Sequence, residues 1–278
     1  MPNLKLRRKP ELSPFRKIAL GTWETTYDPS VYGALTLRME RAEAYLERLR
    51  RATGLRVTLT HMMAKATAAA LEAMPDANAI LRLGHIYLRE RIGVFFQVVM
   101  EDPQTGQIDL SGATVYDPEK KSLADIAREL DARARSVRGG KDRKEQARGM
   151  FRRTPGMAVG PLLKGISFLS HTLNVDLERV GVPNDPFGSV MITNIGSLGL
   201  EEAYAPLVPY SRVPILVAMG AVRDAPVVED GSVVPGRVMK VCVTFDHRIL
   251  DGAHAAVMAR TVRAWMEDPE AHFDPVPE

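Results

Sequence analysis

His247 closes the apolar, alternating run VTFDH, and Asp251 and Gly252 follow it four and five positions later. An imidazole with a reference pKa near ~6.5 can take up a proton at neutral pH, and at a strand end its ring can face a cleft while neighbours fix its orientation. General-base chemistry fits that placement, and so does a structural histidine ahead of a turn. The intervening turn decides where Asp251 points; pairing with an arginine would anchor that turn, with Gly252 supplying backbone freedom as a helix starts. The other histidines, His61, His85, His171, His254 and His272, show no metal-ligand spacing, and Cys242 is the sole cysteine. No metal site is expected.

The elements that must position His247 follow from periodicity. Residues 31–39 have strand character and lead into a helix in which Ala42, Tyr45, Leu46 and Leu49 recur at helical spacing, with Gly54 as its stop. Thr58 or Thr60 can cap an Ala- and Met-rich helix that ends before Pro75 and is apolar around most of its circumference, which predicts burial. Residues 79–100 read as two or three strands broken at Gly84 and around Glu90. Ser122 opens a capping-box-like S-x-x-D, after which Leu123, Ala127, Leu130, Ala134 and Val137 trace one helix face as far as Gly139-Gly140. The segment 141–186 starts highly charged, turns apolar and returns to a loop with Pro183 and Pro186. Its Leu162, Leu163, Ile166, Leu169 and Leu173 fit one face of a helix packed on the domain. The remainder is strand-rich (SVMITNIGS, VPILVAMGAV, GRVMKVCVTFD) and ends in an amphipathic helix from about Ala253 to Met266.

A chain of 278 residues, 45% hydrophobic and 26% charged, is enough for one large domain or two small ones. A lone cysteine excludes an internal disulfide framework, and no secretory leader is legible, so a reducing cytoplasm is the expected home. No apolar run approaches the ~20 residues of a membrane helix. The net charge of +3 is spread along helices and not gathered with aromatics into a stripe, which argues against nucleic acid. Lys5, Arg7, Arg8 and Lys9 read as a solvated N-terminal arm.

Asp246-His247-Arg248-Ile249-Leu250-Asp251-Gly252 resembles the D-H-R-x-x-D-G motif of the catalytic domain of 2-oxo acid dehydrogenase dihydrolipoamide acyltransferases, whose fold is similar to that of chloramphenicol acetyltransferase. Arg16-Lys17-Ile18-Ala19 resembles that family's opening helix, and Met74-Pro75-Asp76-Ala77-Asn78-Ala79 its F-P-x-x-N-A segment. Met191-Ile192-Thr193-Asn194-Ile195-Gly196 is similar to its F-T-I-[ST]-N-x-G strand, and Pro226-Val227-Val228 with Asp230-Gly231 to the stretch before the motif strand. The matches run in order along nearly the whole chain. The implied fold is an α/β, two-layer acyltransferase-like domain over 1–278, a mixed sheet with flanking helices, with an arm at 1–13 and an insertion at 141–186.

The resemblance implies acyl transfer between thiols. His247 would be the base for the attacking thiol and Thr193 the hydroxyl donor to the tetrahedral oxyanion. Asp251 joins the catalytic set structurally, paired by analogy with a basic residue near the N-terminus, for which Arg16 is the candidate, with Gly252 beside it. Asn194 is the candidate contact to coenzyme A. The family's site lies between subunits of a trimer, so His247 and Thr193 would come from different chains. Coenzyme A is implied as a substrate and a lipoyl group only on a separate carrier, because no lipoyl domain, subunit-binding domain or Ala/Pro-rich linker is legible. Where the family has D-G-L-V-V-P-V, this sequence has Gln107-Ile108-Asp109-Leu110-Ser111-Gly112-Ala113, read as an altered loop near the substrate channel. The C-terminal AHFDPVPE lacks the apolar anchor of the larger cages, which implies a free homotrimer. The alternatives are a non-catalytic trimeric scaffold for dehydrogenase partners, and a lipid-facing acyltransferase suggested by the apolar half of 141–186.

Overall fold

The computed structural model describes residues 3–10, 29–101, 108–138 and 155–277. Its larger sheet has six strands in the order β2 (Ser30–Arg38), β9 (Ser232–Asp246), β8 (Ile215–Glu229), β7 (Val190–Asn194), β5 (Gly93–Glu101) and β6 (Ile108–Tyr116). β7 runs parallel to both neighbours and the remaining pairs are antiparallel, so the sheet is mixed. A small antiparallel sheet joins β1 (Leu6–Arg8), β4 (His85–Arg89) and β3 (Ala79–Arg82). The N-terminal arm is therefore laid along β4, with Lys5, Arg7 and Arg8 exposed and Lys9 paired to Asp76.

Strand alternation divides the core in two. Val94, Phe96, Ile192, Val217, Val241 and Phe245 face the helices, whereas Phe95, Met191, Leu216, Ala218 and Cys242 form a smaller cluster on the other face. α1 (Glu40–Thr53) buries the predicted Ala42, Tyr45, Leu46 and Leu49, and Gly54 ends it at φ 67, the left-handed geometry glycine adopts without a Cβ penalty. In α2 (Leu59–Ala73) every residue from His61 to Leu71 is buried, as its all-round apolar character predicts. Each large apolar side chain taken out of water there contributes about 1.5–3 kcal/mol. Thr58 is its cap, and the Thr58 N–H donates to His61 Nδ1 at 2.9 Å, which puts His61 in a capping role. α3 (Leu123–Arg138) is capped by Ser122, whose Oγ accepts from the Asp125 N–H at 3.1 Å, and it buries Leu123, Ile126 and Ala127. The predicted stop at Gly139-Gly140 lies outside the described residues.

β8 and β9 form one hairpin, longer than the sequence pattern indicates. Asp230 and Gly231 turn it with φ 47 and 79, the positive pair that a two-residue type I′ turn requires, and Pro226 faces Pro235 across the ladder. α5 (Gly252–Glu267) and the short α6 (Pro269–His272) close the helical layer.

Two expectations are corrected. Ile108–Ala113 belong to strand β6 and are not a loop; their register on β5 places Gly112 opposite Gln97, where a Cβ would stand 2.1 Å from Phe95 Cζ. The helix of the 141–186 segment, α4 (Gly156–Ser167), does not bury the predicted face. Leu169 and Leu173 are 42% and 45% exposed, whereas Ser167, Ser170, His171 and Thr172 are buried. The reason is the π-helical turn Phe168–Thr172: its wider turn adds a residue and rotates everything after Ser167 off the 3.6-residue stripe.

Candidate active site

The motif turn begins where β9 ends. The Asp246 N–H donates to Pro214 O at 2.9 Å and the His247 N–H to Pro29 O at 2.9 Å, so backbone bonds to two other segments fix the position of the histidine. The buried Asp246 carboxylate folds the turn itself. Its Oδ1 accepts the Arg248 N–H at 2.9 Å, and both oxygens receive the Arg248 guanidinium, with Nε at 3.0 and 3.2 Å and Nη2 at 2.7 Å. Asp246 O then accepts from the N–H groups of Ile249 and Leu250 at 3.0 Å each. This bidentate pair is the functional feature that sequence reasoning missed; the signal was two opposite charges flanking the histidine.

The ring of His247 is half-buried, with Nδ1 2.9 Å from Leu250 O. A carbonyl oxygen can only accept, so this contact places the proton on Nδ1 and the lone pair on Nε2. The same turn that buries Leu250 therefore selects the tautomer a base needs.

Asp251 is the N-cap of α5. Its Oδ1 accepts from the N–H groups of Ala253 and His254 at 3.0 and 3.3 Å and lies 2.7 Å from His254 Nδ1. Burial opposes its charge, but the bonds from His254 prevail and hold the carboxyl below its ordinary value. Arg16, the expected partner, lies outside the described residues. Gly252 takes right-handed geometry with open space where a Cβ would stand among the described residues. Its expected conformational freedom is thus not required, because Asp251, at φ −133, makes the change of direction.

Thr193 sits near the C-terminal end of β7, half-buried, and its hydroxyl makes no hydrogen bond to any described residue. Neighbouring Asn194 is tied at both ends of its amide: Nδ2 donates to Thr60 Oγ1 at 3.0 Å and Oδ1 accepts from the Ser197 N–H at 3.1 Å. It locks the end of β7 to the start of α2 and leaves one N–H of the amide for another acceptor. Thr193 is level with Ala218 and Ala218 with Cys242, so His247 lies five residues farther along β9 and two strands across. At about 3.3 Å per residue and about 4.8 Å per strand, the two side chains are on the order of 15–20 Å apart. One chain does not bring them together.

Residues 11–151 and 186–273 match the family model of the 2-oxoacid dehydrogenases acyltransferase (catalytic domain). The chain belongs to that family. Curated relatives of this acyltransferase domain include the dihydrolipoyllysine-residue acetyltransferase component of the acetoin cleaving system of Bacillus subtilis, 25% identical over 218 residues, covering 78% of this chain and 43% of the relative. Another is the dihydrolipoyllysine-residue succinyltransferase component of 2-oxoglutarate dehydrogenase complex 1 of Arabidopsis thaliana, 25% identical over 236 residues, covering 85% of this chain and 40% of the relative. The chain thus spans about two fifths of the length of these relatives. In fold the acyltransferase domain is similar to a probable dihydrolipoamide acetyltransferase from Listeria monocytogenes, with TM-score 0.67, 17% identity and 98% and 99% of the two chains covered. It is similar also to the cubic core of a pyruvate dehydrogenase multienzyme complex, with TM-score 0.65, 17% identity and 95% and 93% covered. Chloramphenicol acetyltransferase follows with TM-score 0.50 and 14% identity over 94% and 100%. The resemblance carried by the D-H-R motif and the expected mixed-sheet fold are both borne out.

Proposed function

We propose that this domain transfers an acyl group from a thioester donor, acyl-coenzyme A or an acylated lipoyl carrier, to a thiol acceptor. Nε2 of His247 takes the proton of the attacking thiol, and the thiolate adds to the thioester carbonyl. The Thr193 hydroxyl donates to the oxyanion of the tetrahedral intermediate, a contact of the kind whose removal costs about 3 kcal/mol of transition-state stabilisation. The intermediate collapses to the new thioester, and the expelled thiolate recovers the proton from the imidazolium. Asp251 acts at one remove, by capping α5 and steadying the turn.

The observation that carries this reading is the fixed His247–Leu250 contact at the family's own motif. The homotrimer is carried over from the family resemblance; the separation of His247 and Thr193 within one chain supports an oligomer, in which a second copy would supply the partner at each site. The dihydrolipoamide acetyltransferase of Azotobacter vinelandii, similar in fold, was studied for the roles of a serine, a histidine and an asparagine in its catalytic mechanism, which favours the same types of group here. The segment 141–186 is read as an insertion in a single domain because the family match breaks between 151 and 186. The buried thiol of Cys242, which is in no disulfide, fits the cytoplasm.

The test is thiol release from short- and long-chain acyl-coenzyme A with dihydrolipoamide as acceptor, wild type against His247→Ala. Turnover that collapses in the variant supports the proposal and identifies the acyl length. Absence of turnover in a folded wild-type trimer overturns coenzyme A-to-lipoamide transfer and leaves a scaffold for dehydrogenase partners.

A further inference from the structure

α4 and the π-helical turn stand against the loop that precedes β8 and the start of the motif turn. They enclose a cavity of about 870 Å³. Asp246 and Arg248 line it and His247 does not, so it is separate from the side of the turn that the imidazole serves.

Its charges are unbalanced. Arg248 is neutralised by Asp246, but Arg212 reaches the cavity with one hydrogen bond, from Nε to Ser167 Oγ at 3.1 Å, and Lys164 lines the same wall. No carboxylate among the described residues pairs with either of them. Arg212 is half-buried, and burial first and the charge of Arg248 second push its pKa below that of an ordinary guanidinium. Its backbone is in the left-handed region, at φ 57, uncommon for a residue with a Cβ. A partly desolvated guanidinium, held in such a conformation beside a second cation, is the signature of a group kept for a ligand. Ser30 and Tyr210 add hydroxyls, and Leu163, Leu207, Val208, Val213 and Ile249 make an apolar wall.

We propose that this cavity binds an organic anion, an oxyanion head on an apolar body, with the planar fork of Arg212 gripping a carboxylate or phosphate, Lys164 adding charge at the rim and the aliphatic wall receiving the body. Lys164, Ser167, Leu163 and Phe168 lie in the stretch between 151 and 186 that the family match leaves out, so this chain's own segment builds much of the site. The proposal does not rest on the acyl-transfer reading.

Calorimetric titration of the full chain with octanoate, octyl phosphate, octanol and inorganic phosphate tests it. Octanoate or octyl phosphate binds, and the tighter of the two identifies the head group; octanol and inorganic phosphate bind about tenfold more weakly or not at all. Arg212→Gln weakens the anion about tenfold, whereas His247→Ala leaves it unchanged. Binding by neither anion, equal binding of octanol, or undiminished affinity in Arg212→Gln overturns the proposal. Should Arg212→Gln fail to fold, Leu163→Trp, which fills the cavity, abolishes binding; binding retained there overturns it equally.

Discussion

Nδ1 of His247 and the carbonyl oxygen of Leu250 stand 2.9 Å apart, a contact three residues long that the D-H-R turn makes unavoidable. It turns a flexible imidazole into one with a fixed tautomer and a fixed direction, the preorganisation that a general base needs. His247→Ala is expected to lower kcat by about 10²–10⁴. Its melting temperature stays near that of wild type, because backbone bonds of the turn and the Asp246–Arg248 pair remain. Steady-state kinetics with acyl-coenzyme A beside a thermal melt check this, and full activity in the variant refutes the role.

Thr193 offers a hydroxyl that no described group uses. Thr193→Val keeps the β-branched shape that β7 packs and removes only the donor. The expected loss is about 10²–10³ in kcat with little change in KM, and Thr193→Ser restores most of it. A packing defect would show the opposite pattern, with Ser no better than Val.

The separation of Thr193 and His247 within one chain gives a prediction about assembly. Trimers refolded from equal amounts of inactive His247→Ala and Thr193→Val chains contain sites where an intact His247 meets an intact Thr193 from a neighbour. With random mixing about a quarter of the sites are intact, so activity returns to about a quarter of wild type. If the mixture stays as inactive as its components, the two residues do not share a site across the interface.

The residues that could be read in advance were those whose role is local. Ala42, Tyr45, Leu46 and Leu49 declare the buried stripe of α1 because a straight helix keeps a 3.6-residue period. The D-H-R-x-x-D-G run declares the motif turn for the same reason, since its capping and turn bonds span two to four residues. Leu169 and Leu173 misled because one π-helical turn cancels the phase on which the stripe was counted. Ile108–Ala113 misled because edge-strand pairing with β5 is a long-range fact with no local signature. The distance from Thr193 to His247 depends on strand order, and Arg212 acquires meaning only when α4 folds over it.

Asp246 and Arg248 hold the turn through a bidentate side-chain pair. Asp246 is buried, so Asp246→Ala strands the guanidinium and leaves the N–H of Arg248 without its acceptor. The expected destabilisation is about 3 kcal/mol, at the lower end for breaking a buried pair because Arg248 is partly exposed. Arg248→Met is expected to cost a similar amount, since it leaves the more deeply buried carboxylate with one backbone N–H and no counter-charge. Denaturant melts give both values, and an Asp246→Ala change under about 1 kcal/mol would show that the turn is held by its backbone alone.

His61 and His171 contribute to the acid sensitivity of the fold. Burial lowers each from an ordinary 6.5 to about 4, with smaller contributions of both signs from surrounding charges, Asp131 raising His61 and Arg89 lowering His171 further. His61 accepts from Thr58 through Nδ1, and His171 lies with Nδ1 2.9 Å from Ser170 Oγ while its buried Nε2 has no hydrogen-bond partner among the described residues. Both are neutral in the folded chain down to about pH 4, whereas the unfolded chain protonates them below about 6.5. Between those limits the unfolded state binds the extra protons, so stability rises with pH there. It is fully present above 6.5 and lost as pH falls toward 4. Each histidine contributes a slope of about 1.4 kcal/mol per pH unit. Unfolding free energies measured by denaturant from pH 7 to 4.5 should show the summed slope, His171→Gln should remove about half of it, and an unchanged slope in that variant would place the acid sensitivity elsewhere.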